Sequence, residues 1–367
     1  MDSITHIVLG ATIGEVMAGR RLGKKALLLG AVAQSLPDID FIASSWLDTS
    51  HDVAAHRGIT HSILFVVVIT SLLAYVASRW YRGAGDYPGS GGAVLSGGSG
   101  HLVGVERPGK TVRSGMYFRD WWIFFGLELF VHIFLDAFNA YGTGWFEPFS
   151  HYRVSFNVLF VADPFYSLWP GISFLMLLIL KRDDRRRRGW AAFGLILSSL
   201  YLCYCLVNKS MIDGRVKKEL AGRQMGTHRY FTTPTPLNSW LWYIVAEDSV
   251  GFHTGYLSVF DRRSVIDFQF FPRNDSLLAP FVKQEDVQEL LRFSQGYYTV
   301  EKWNDTLLVF NDLRFEQMKG WENGRAHFVF HYFLQHPGDN AVIVQRGRFA
   351  GWNMRTFRDF VKRIRGN

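Results

Sequence analysis

Cysteine is scarce in this sequence, since Cys203 and Cys205 are the only two among 367 residues. They lie two positions apart inside one apolar run, where they are poorly placed for a disulfide or for a chelate. We interpret both as small apolar side chains of a packed segment. A disulfide-stapled scaffold is therefore excluded, and so is a metal site that depends on this pair of thiolates.

The sequence also lacks a continuous basic face, although its net charge is +8. Lysine and arginine occur in short clusters between apolar runs, a pattern that suits the cytoplasmic loops of a membrane protein better than a nucleic-acid surface. We therefore predict a lipid bilayer as partner and no nucleic acid. A basic start before the first apolar stretch is absent too, which predicts that the N-terminal segment is retained rather than cleaved as a secretory signal.

Apolar segments are abundant, and they are concentrated before about residue 207. Two early runs, 4–18 and 26–36, are shorter than the roughly 20 residues of an independent span. They are predicted to form either a tilted helical hairpin packed on its neighbours or a buried pair that does not span. Four later runs are interpreted as membrane spans, at 62–80, 121–138, 165–180 and 190–207.

Beyond residue 207 the pattern changes to short alternating runs typical of an antiparallel sheet. The predicted fold class is thus an α-helical polytopic membrane domain, residues 1–207, followed by a smaller α+β, strand-rich soluble domain, residues 208–367. Residues 83–116 are rich in glycine and serine and are predicted to be a flexible insertion. In the second domain, strands are predicted at 241–245, 268–271 and 327–330, and short helices at 285–294 and 356–364.

The distribution of lysine and arginine predicts the topology. Placing all the strongly basic connections in the cytoplasm requires six membrane-embedded segments. The connections 38–60 and 138–163 then lie on the outer side, together with the C-terminal domain. The basic connections used for this assignment are 20–25, 79–119 and 181–188.

Eight candidate metal ligands fall on this outer side, although only lysine and arginine determined the orientation. His132 and Asp136 are four positions apart and therefore share one face of a helix. Alone, such a pair is more often a hydrogen-bonded structural couple, but eight such groups at one face favour a metal site. Asp38 and Asp40 follow Pro37 and are expected in extended chain, with both carboxylates on one side. The full set is His6, Asp38, Asp40, His56, His61, His132, Asp136 and Asp163.

The ligand types indicate which metal the site would hold. Excess carboxylate beside imidazole favours a hard or borderline divalent ion, zinc or alternatively manganese. Eight ligands are too many for one tetrahedral zinc with an open position. Two or three ions per chain, about 3.5–4 Å apart and bridged by an aspartate, fit them better and would hold both the attacking and the leaving oxygen of a phosphoester.

Catalytic roles beside the metal are predicted for Asp38, Arg57 and Glu128. Arg57 is suited to bind a phosphate with its planar guanidinium; alternatively, it forms a salt bridge with Asp52 or Asp38. Glu128 lies one helical turn before His132. It either orients that histidine or is a buried acid bonded to a neighbouring helix.

These motifs occur together in one known family. Over residues 1 to about 180 the chain resembles the bacterial inner-membrane metal-dependent hydrolases of the YdjM-like type, and residues 234–242 resemble a segment of longer members. The resemblance implies metal-dependent hydrolysis in the bacterial inner membrane and a relationship to zinc-dependent phospholipase C. The insertion at 83–116 departs from the compact loop usual in the family. The matching motifs are Thr5-His6 with Gly10, Leu36-Pro37-Asp38-Ile39-Asp40, Arg57-Gly58-Ile59-Thr60-His61-Ser62, His132-x3-Asp136 followed by Tyr141-Gly142-Thr143, and Ala162-Asp163-Pro164.

Two classes of function follow from these predictions. The first is a membrane-bound metal-dependent hydrolase that cleaves a phosphoester of a lipid or lipid-linked envelope precursor at the outer leaflet. The second is a metal-ion or proton transporter that uses the intramembrane His/Asp cluster. Transport needs polar residues at the midplane and in the cytoplasmic half, whereas the middles of the long spans are apolar here. The sequence therefore favours the hydrolase, with the C-terminal domain either docked over the site or tethered independently.

Overall fold

The computed structural model describes residues 1–45, 50, 52, 55–82, 116–227, 229–263, 265–304, 307–335, 340, 349 and 351–366. Of the predicted flexible insertion at 83–116, only Met116 lies among the described residues, and it is buried. The prediction for the remainder of that insertion lies outside the described residues.

The first part of the chain is helical, as predicted. Its first two helices form a hairpin whose backbones touch, because glycines line the contact: a Cβ atom added to Gly10 would lie 2.4 Å from the carbonyl oxygen of Gly30. Three later helices pack against this hairpin, and the one that begins at Phe118 contacts both of its members, whereas the helix that begins at Ile63 packs mainly against the one that begins at Phe118. The longer α-helices among the described residues of this part are α1 (Ser3–Leu22), α2 (Lys25–Ser35), α3 (Ile63–Arg82), α4 (Phe118–Asp136), α5 (Pro164–Ile179) and α6 (Arg186–Gly222).

Two of the described helices are long and apolar enough to cross a membrane. One is α3, over Ile63–Tyr81, and the other is α6, which contains an apolar window of the required length. Helix α5 is apolar but shorter, with 16 residues. By length and composition, therefore, two spans are supported.

Helix α6 is longer than the sequence predicted. The predicted span ended at Val207, whereas the helix runs without interruption to Gly222. Its last turns place Ile212, Val216 and Leu220 against the strand-rich part of the chain. The spacing of these three side chains brings them onto one helical face, so burial against the sheet sustains the helix where its apolar run stops. The helix thereby crosses position 207, and the division there into two domains stays a prediction.

The second part of the chain is rich in strands, as predicted. The predicted strand at 327–330 is wrong, because Phe328 makes only an isolated bridge to Gln317 and the strand begins at His331. One antiparallel sheet has the order β1 (Arg229–Pro234), β2 (Leu241–Glu247), β3 (Gly251–Ser258), β4 (Gln269–Pro272). The other has the order β5 (Tyr298–Asn304), β6 (Leu307–Asp312), β7 (His331–Phe333). The described residues of this part also form the helices α7 (Asp275–Leu278), α8 (Glu285–Phe293) and α9 (Met354–Ile364).

The strand-rich part packs against the loop between α4 and α5. The ring of Tyr141 in that loop lies 4.7 Å from the ring of Phe315, centroid to centroid. The side-chain amide of Gln295 donates to the carbonyl oxygen of Arg153 at 3.3 Å. These contacts place the second part of the chain beside the same loop that follows Asp136 in the sequence.

Candidate metal centre

Four predicted ligands come together in one buried cluster, here called the His/Asp cluster: Asp38, His61, His132 and Asp136. Each offers one ligand atom, and these atoms all lie within 4.8 Å of one another. The Nε2 atoms of His61 and His132 are 3.1 Å apart, and Asp136 Oδ2 lies 3.2 Å from the first and 3.6 Å from the second. Asp38 Oδ1 is 3.7 Å from His61 Nε2 and 3.4 Å from His132 Nε2.

These separations fit a metal coordination shell. Ligands that surround zinc tetrahedrally at its usual bond lengths are about 3.3–3.4 Å from one another, close to the 3.1–3.7 Å measured between the cluster atoms. Oδ2 of Asp38 is buried and accepts no hydrogen bond from the described residues, and Oδ2 of Asp136 is buried with an ion pair to Arg57 and no well-formed hydrogen bond among them. Buried carboxylate oxygens need a partner, and a divalent cation would provide one.

Hydrogen bonds orient the histidines toward this cluster. Nδ1 of His132 donates to the backbone carbonyl of Gln34, so its Nε2 carries the lone pair that faces His61. Nδ1 of His6 lies 3.1 Å from the side-chain oxygen of Gln34, and its Nε2 lies 3.1 Å from Asp136 Oδ1. In His132, fixing Nδ1 in this way leaves Nε2 free to bind a metal. His6 lies outside the four clustered ligands, and both of its ring nitrogens already have partners.

His61 reaches the cluster from a short 3-10 turn, Ile59–His61, just before α3. Ser62 caps α3 by accepting a hydrogen bond from the backbone N–H of Phe65 at 3.0 Å. Complete burial lowers the pKa of His61 to about 3. The imidazole is therefore neutral at neutral pH, which is the form that binds a metal.

Asp38 and Asp40 lie in a 3-10 helix, Pro37–Ser45, and the predicted extended conformation is wrong. Pro37 is tolerated because it stands in the first turn, where its missing N–H has no partner to lose. Asp38 nevertheless faces His61 and His132. Burial opposes its ionisation, but the interactions with His132 and His61 outweigh burial and hold the pKa of Asp38 below its usual range.

Asp40 and His56 stand beside the cluster rather than within it. His56 Nδ1 is 3.4 Å from Asp40 Oδ1, and His61 Nδ1 is 3.6 Å from Asp40 Oδ2. Asp40 also accepts a hydrogen bond from the backbone N–H of Arg57 at 2.7 Å. This bond holds Arg57 in a left-handed conformation, with φ of 60°, which is uncommon for a residue other than glycine.

Arg57 is buried against the His/Asp cluster. Its Nε lies 3.1 Å from Asp136 Oδ2, and Nη1 donates to Asn139 at 2.9 Å. Nη2 donates to the carbonyl oxygen of Met1 at 3.2 Å, and the Met1 amino group contacts Asp136. The salt bridge of Arg57 is thus with Asp136, and not with the Asp52 or Asp38 that the sequence suggested.

Asp163 lies apart from the four clustered ligands. Its carboxylate caps α5 by accepting a hydrogen bond from the backbone N–H of Phe165 at 2.9 Å. It also accepts a hydrogen bond from the hydroxyl of Tyr201 at 3.0 Å. Burial raises the pKa of Asp163 to about 6. Its connection to the cluster is indirect, because Ser167, which donates to its backbone carbonyl, also contacts Thr5, the neighbour of His6.

Glu128 is completely buried in α4, close to Gly30 of α2. Neither of its carboxylate oxygens has a hydrogen bond of good geometry with a described residue. Nδ1 of His132 donates to the backbone carbonyl of Gln34 and not to Glu128. Gln34 is therefore the site residue that the sequence analysis missed, and the available signal was a single amide at the end of an apolar run.

A cavity of about 450 Å³ opens beside the His/Asp cluster. Its walls combine charged groups of the site with aromatic side chains, and one of these, Phe349, comes from the strand-rich part of the chain. The cavity thus opens a route to Asp38 that is lined by polar and aromatic side chains. Its lining includes Asp2, Asp38, Phe41, His56, Arg57, Tyr141, Phe160 and Phe349.

Replacing Gln34 with leucine is expected to weaken metal binding by roughly 10- to 100-fold, the loss typical when a group that orients a metal ligand is removed. The side-chain acceptor of His6 is lost, whereas the backbone carbonyl that holds His132 remains. The dissociation constant for zinc is measured on purified protein against a competing chelator. Ser35→Ala is the control, since the Ser35 hydroxyl bonds to the carbonyl of Ala31 in the same helix. Equal affinity of Gln34→Leu and the unmodified protein would contradict the prediction.

The helical part with its buried His/Asp cluster defines a class of protein, a membrane protein with a possible metal site. The sequence pattern of the YdjM inner membrane protein family matches residues 1–212, and the chain belongs to this family. The family resemblance inferred from the motifs is confirmed, and the family points to the inner membrane as the location.

Two individual relatives share a low sequence identity with this chain. The chain is 25% identical to YfhP of Bacillus subtilis strain 168, a protein described as uncharacterized, over 376 residues that cover 96% of this chain and 95% of YfhP. It is 25% identical to the inner membrane protein YbcI of Escherichia coli K12 over 152 residues, 41% of this chain and 69% of YbcI. No solved structure has significant similarity. The similarity to YfhP therefore includes the strand-rich part.

Proposed function

We propose that this protein is a membrane-bound metal-dependent hydrolase that cleaves a phosphoester of a lipid or lipid-linked envelope precursor. The observation that carries the proposal is the His/Asp cluster, whose ligand atoms have the mutual spacing of a coordination shell. Asp38, His61, His132 and Asp136 would hold one zinc or manganese ion. His56 and Asp40, 3.4 Å apart beside the cluster, would contribute to a second, in line with the two or three ions expected from the number of ligands.

The side chains of this site would have different roles in phosphoester hydrolysis. When bound, divalent ions supply Lewis-acid stabilisation of a phosphoryl oxygen and a nucleophilic water at neutral pH. Arg57 faces the cavity, and a guanidinium has five N–H donors, of which three meet described partners. The others can bind a phosphate oxygen. Asp136 holds the guanidinium in place, while the backbone carbonyl of Gln34 fixes the tautomer of His132 and its side chain positions His6.

A lipid substrate agrees with the surroundings of the site. The cavity joins charged residues to aromatic walls, as a phosphorylated head group with attached apolar chains would require. Outside the two helices that qualify as spans, apolar side chains are also exposed on the outward faces of α2, α4 and α5, for example Val32, Phe130 and Leu175. Exposed apolar faces of this kind support the prediction of further membrane-embedded segments.

Release of phosphate or of a phosphorylated head group from total membrane lipids tests the proposal. The purified protein is assayed with zinc or manganese and with a chelator, and bound metal is determined by elemental analysis in the same preparation. We expect product only when metal is bound. A protein that binds metal stoichiometrically but releases nothing from lipids or from a soluble phosphodiester would refute hydrolysis while leaving the metal site standing.

Transport of a metal ion or a proton is a second candidate, and Glu128 favours it. This acid is completely buried in α4, two turns before Asp136, without a well-formed hydrogen bond among the described residues. Ionisable residues within membrane segments often mark ion pathways. For a hydrolase, Glu128→Gln is expected to leave metal content and turnover unchanged, because His132 is oriented by Gln34 instead. Loss of ion flux in proteoliposomes with intact metal binding would favour the transporter.

The proposed orientation has its own test. Cys203 is exposed and Cys205 is buried, so both are first replaced with alanine. A cysteine at Ser99, in the predicted cytoplasmic connection, is expected to resist an impermeant thiol reagent in cells with a permeabilised outer envelope. A cysteine at the exposed Ser276 of α7 is expected to react. The reversed labelling would place the His/Asp cluster at the cytoplasmic face.

A further inference from the structure

The last helix, α9, presents an unusual outward face. Thr356 and Phe360 are its buried residues, and Phe360 packs against the ring of Trp352 at 5.2 Å. On the flank of this buried face, Met354 is 68% exposed and Phe357 is 49% exposed. Val361, which is partly buried, lies one turn after Phe357 and close to this apolar stripe.

Cations flank the apolar stripe. Next to the apolar stripe runs a basic stripe of exposed residues, Arg355, Arg358 and Lys362. Their spacings of three and four residues place them on one side of the helix. Arg365 follows directly after the helix and is exposed as well, while Asp359 is the only acid between Met354 and Arg365. An apolar stripe bordered by lysine and arginine is the pattern of helices that lie in a membrane interface.

The end of α9 is tied to a segment beside the membrane span. Arg363 forms a salt bridge with Asp261 at 3.0 Å. Asp261 belongs to the turn that follows β3, and Val259 of this turn donates to the carbonyl oxygen of Trp240 at 2.8 Å. The indole of Trp240 in turn donates to the hydroxyl of Tyr204 on α6 at 2.9 Å.

Tyr204 lies in the apolar part of α6, where its neighbours Leu206 and Val207 are exposed. Tryptophan and tyrosine are enriched at the level of the lipid head groups, so the Trp240–Tyr204 pair marks that level. The same turn exposes Phe260, at 51%, next to the end of α9. Apolar and aromatic side chains thus lead from α6 through this turn to the C-terminal end of α9.

We propose that α9 is an interfacial helix that binds the surface of an anionic bilayer. Met354, Phe357 and the nearby Phe260 enter the boundary between head groups and acyl chains, while the flanking cations contact lipid phosphates. Each lysine or arginine near an anionic surface contributes about fivefold to binding. Contact of α9 with the bilayer keeps the strand-rich part close to the membrane plane.

Site-specific fluorescence on the full-length protein in vesicles tests the proposal. In a background with Cys203→Ala and Cys205→Ala, an environment-sensitive dye is attached at Phe357→Cys or, as the control, at Ser276→Cys on α7. The protein is reconstituted into phosphatidylcholine vesicles with or without phosphatidylglycerol, and brominated acyl chains act as quenchers. We expect blue-shifted, quenched emission at position 357 in the anionic vesicles and neither change at position 276.

Removal of the positive charges of α9 is the second test of the proposal. Replacing Arg355, Arg358 and Lys362 together with glutamine is expected to lower the docked-to-free ratio of the helix roughly a hundredfold, the product of three contributions of about fivefold. High salt is expected to act in the same direction. Equal quenching at positions 357 and 276 would overturn the proposal, and so would quenching that is insensitive to lipid charge. Shielding of position 357 in native membranes but not in vesicles would also overturn it, by indicating a protein partner.

Discussion

Alanine in place of His61 or Asp136 is expected to remove bound metal while the protein stays in the membrane. Both residues supply atoms of the His/Asp cluster, and their separation of 3.2 Å matches neighbouring ligands of one ion. Removing a group that merely orients a ligand costs up to about 100-fold in affinity, so losing a ligand itself should exceed that. Elemental analysis of the purified variants measures the effect.

The two substitutions differ in their structural side effects. Asp136 also neutralises the buried Arg57, and breaking a buried pair by removing one partner typically costs about 3–5 kcal/mol. Asp136→Asn is therefore included, because it keeps the shape and one acceptor while it removes the charge. His151→Ala is the control, since this exposed histidine bonds only to Glu147 among the partners seen for its ring. Full metal content in both His61→Ala and Asp136→Asn would show that the cluster is structural.

Lysine in place of Arg57 is expected to reduce turnover by roughly 100- to 1,000-fold with metal content retained, the loss typical when a donor to the charge that forms in the transition state is removed. The ammonium keeps the positive charge beside Asp136 but cannot reproduce the planar fork of donors. Turnover of the lipid and of a soluble phosphodiester is compared, together with elemental analysis. Arg363→Lys is the control. Arg363 lies in α9, and its guanidinium donates through both Nη atoms to the carboxylate of Asp261.

Two outcomes for Arg57→Lys would contradict this role. Turnover close to that of the unmodified protein would mean that the residue only balances the charge of Asp136. Loss of metal together with turnover would mean that Arg57 acts by holding Asp136 in place. The role of Arg57 on the substrate requires a loss of turnover at constant metal content.

Four of the eight ligands predicted from the sequence come together, although the backbone conformation of one of them was predicted wrongly. His132 and Asp136 were assigned to one helical face from their spacing, and they lie in one cluster. Asp38 joins the same cluster, but from a 3-10 helix rather than from extended chain. The proline before it only restricts the preceding residue and is compatible with either conformation, so the sequence alone did not distinguish them.

Tertiary contacts account for what the sequence did not predict. Gln34 binds two histidines, one through its backbone carbonyl, and a backbone acceptor leaves no mark on the sequence. Helix α6 continues past Val207 because Ile212 and Val216 bury against a sheet that forms from distant residues. In both cases the deciding partner lies far away along the chain, so neither local propensity nor periodicity contains the information.

The uninterrupted α6 has a mechanical consequence. A helix of 37 residues is about 55 Å long, whereas the apolar core of a bilayer is about 30 Å thick. Hinges need residues that absorb changes in backbone angles, and none interrupts the described helix between Arg186 and Gly222. In the proposed topology, a bilayer that thins under tension would increase the tilt of the span. Because no hinge separates the span from the last turns of α6, the change in tilt would be transmitted to Ile212 and Val216 and so to the sheet that packs on them.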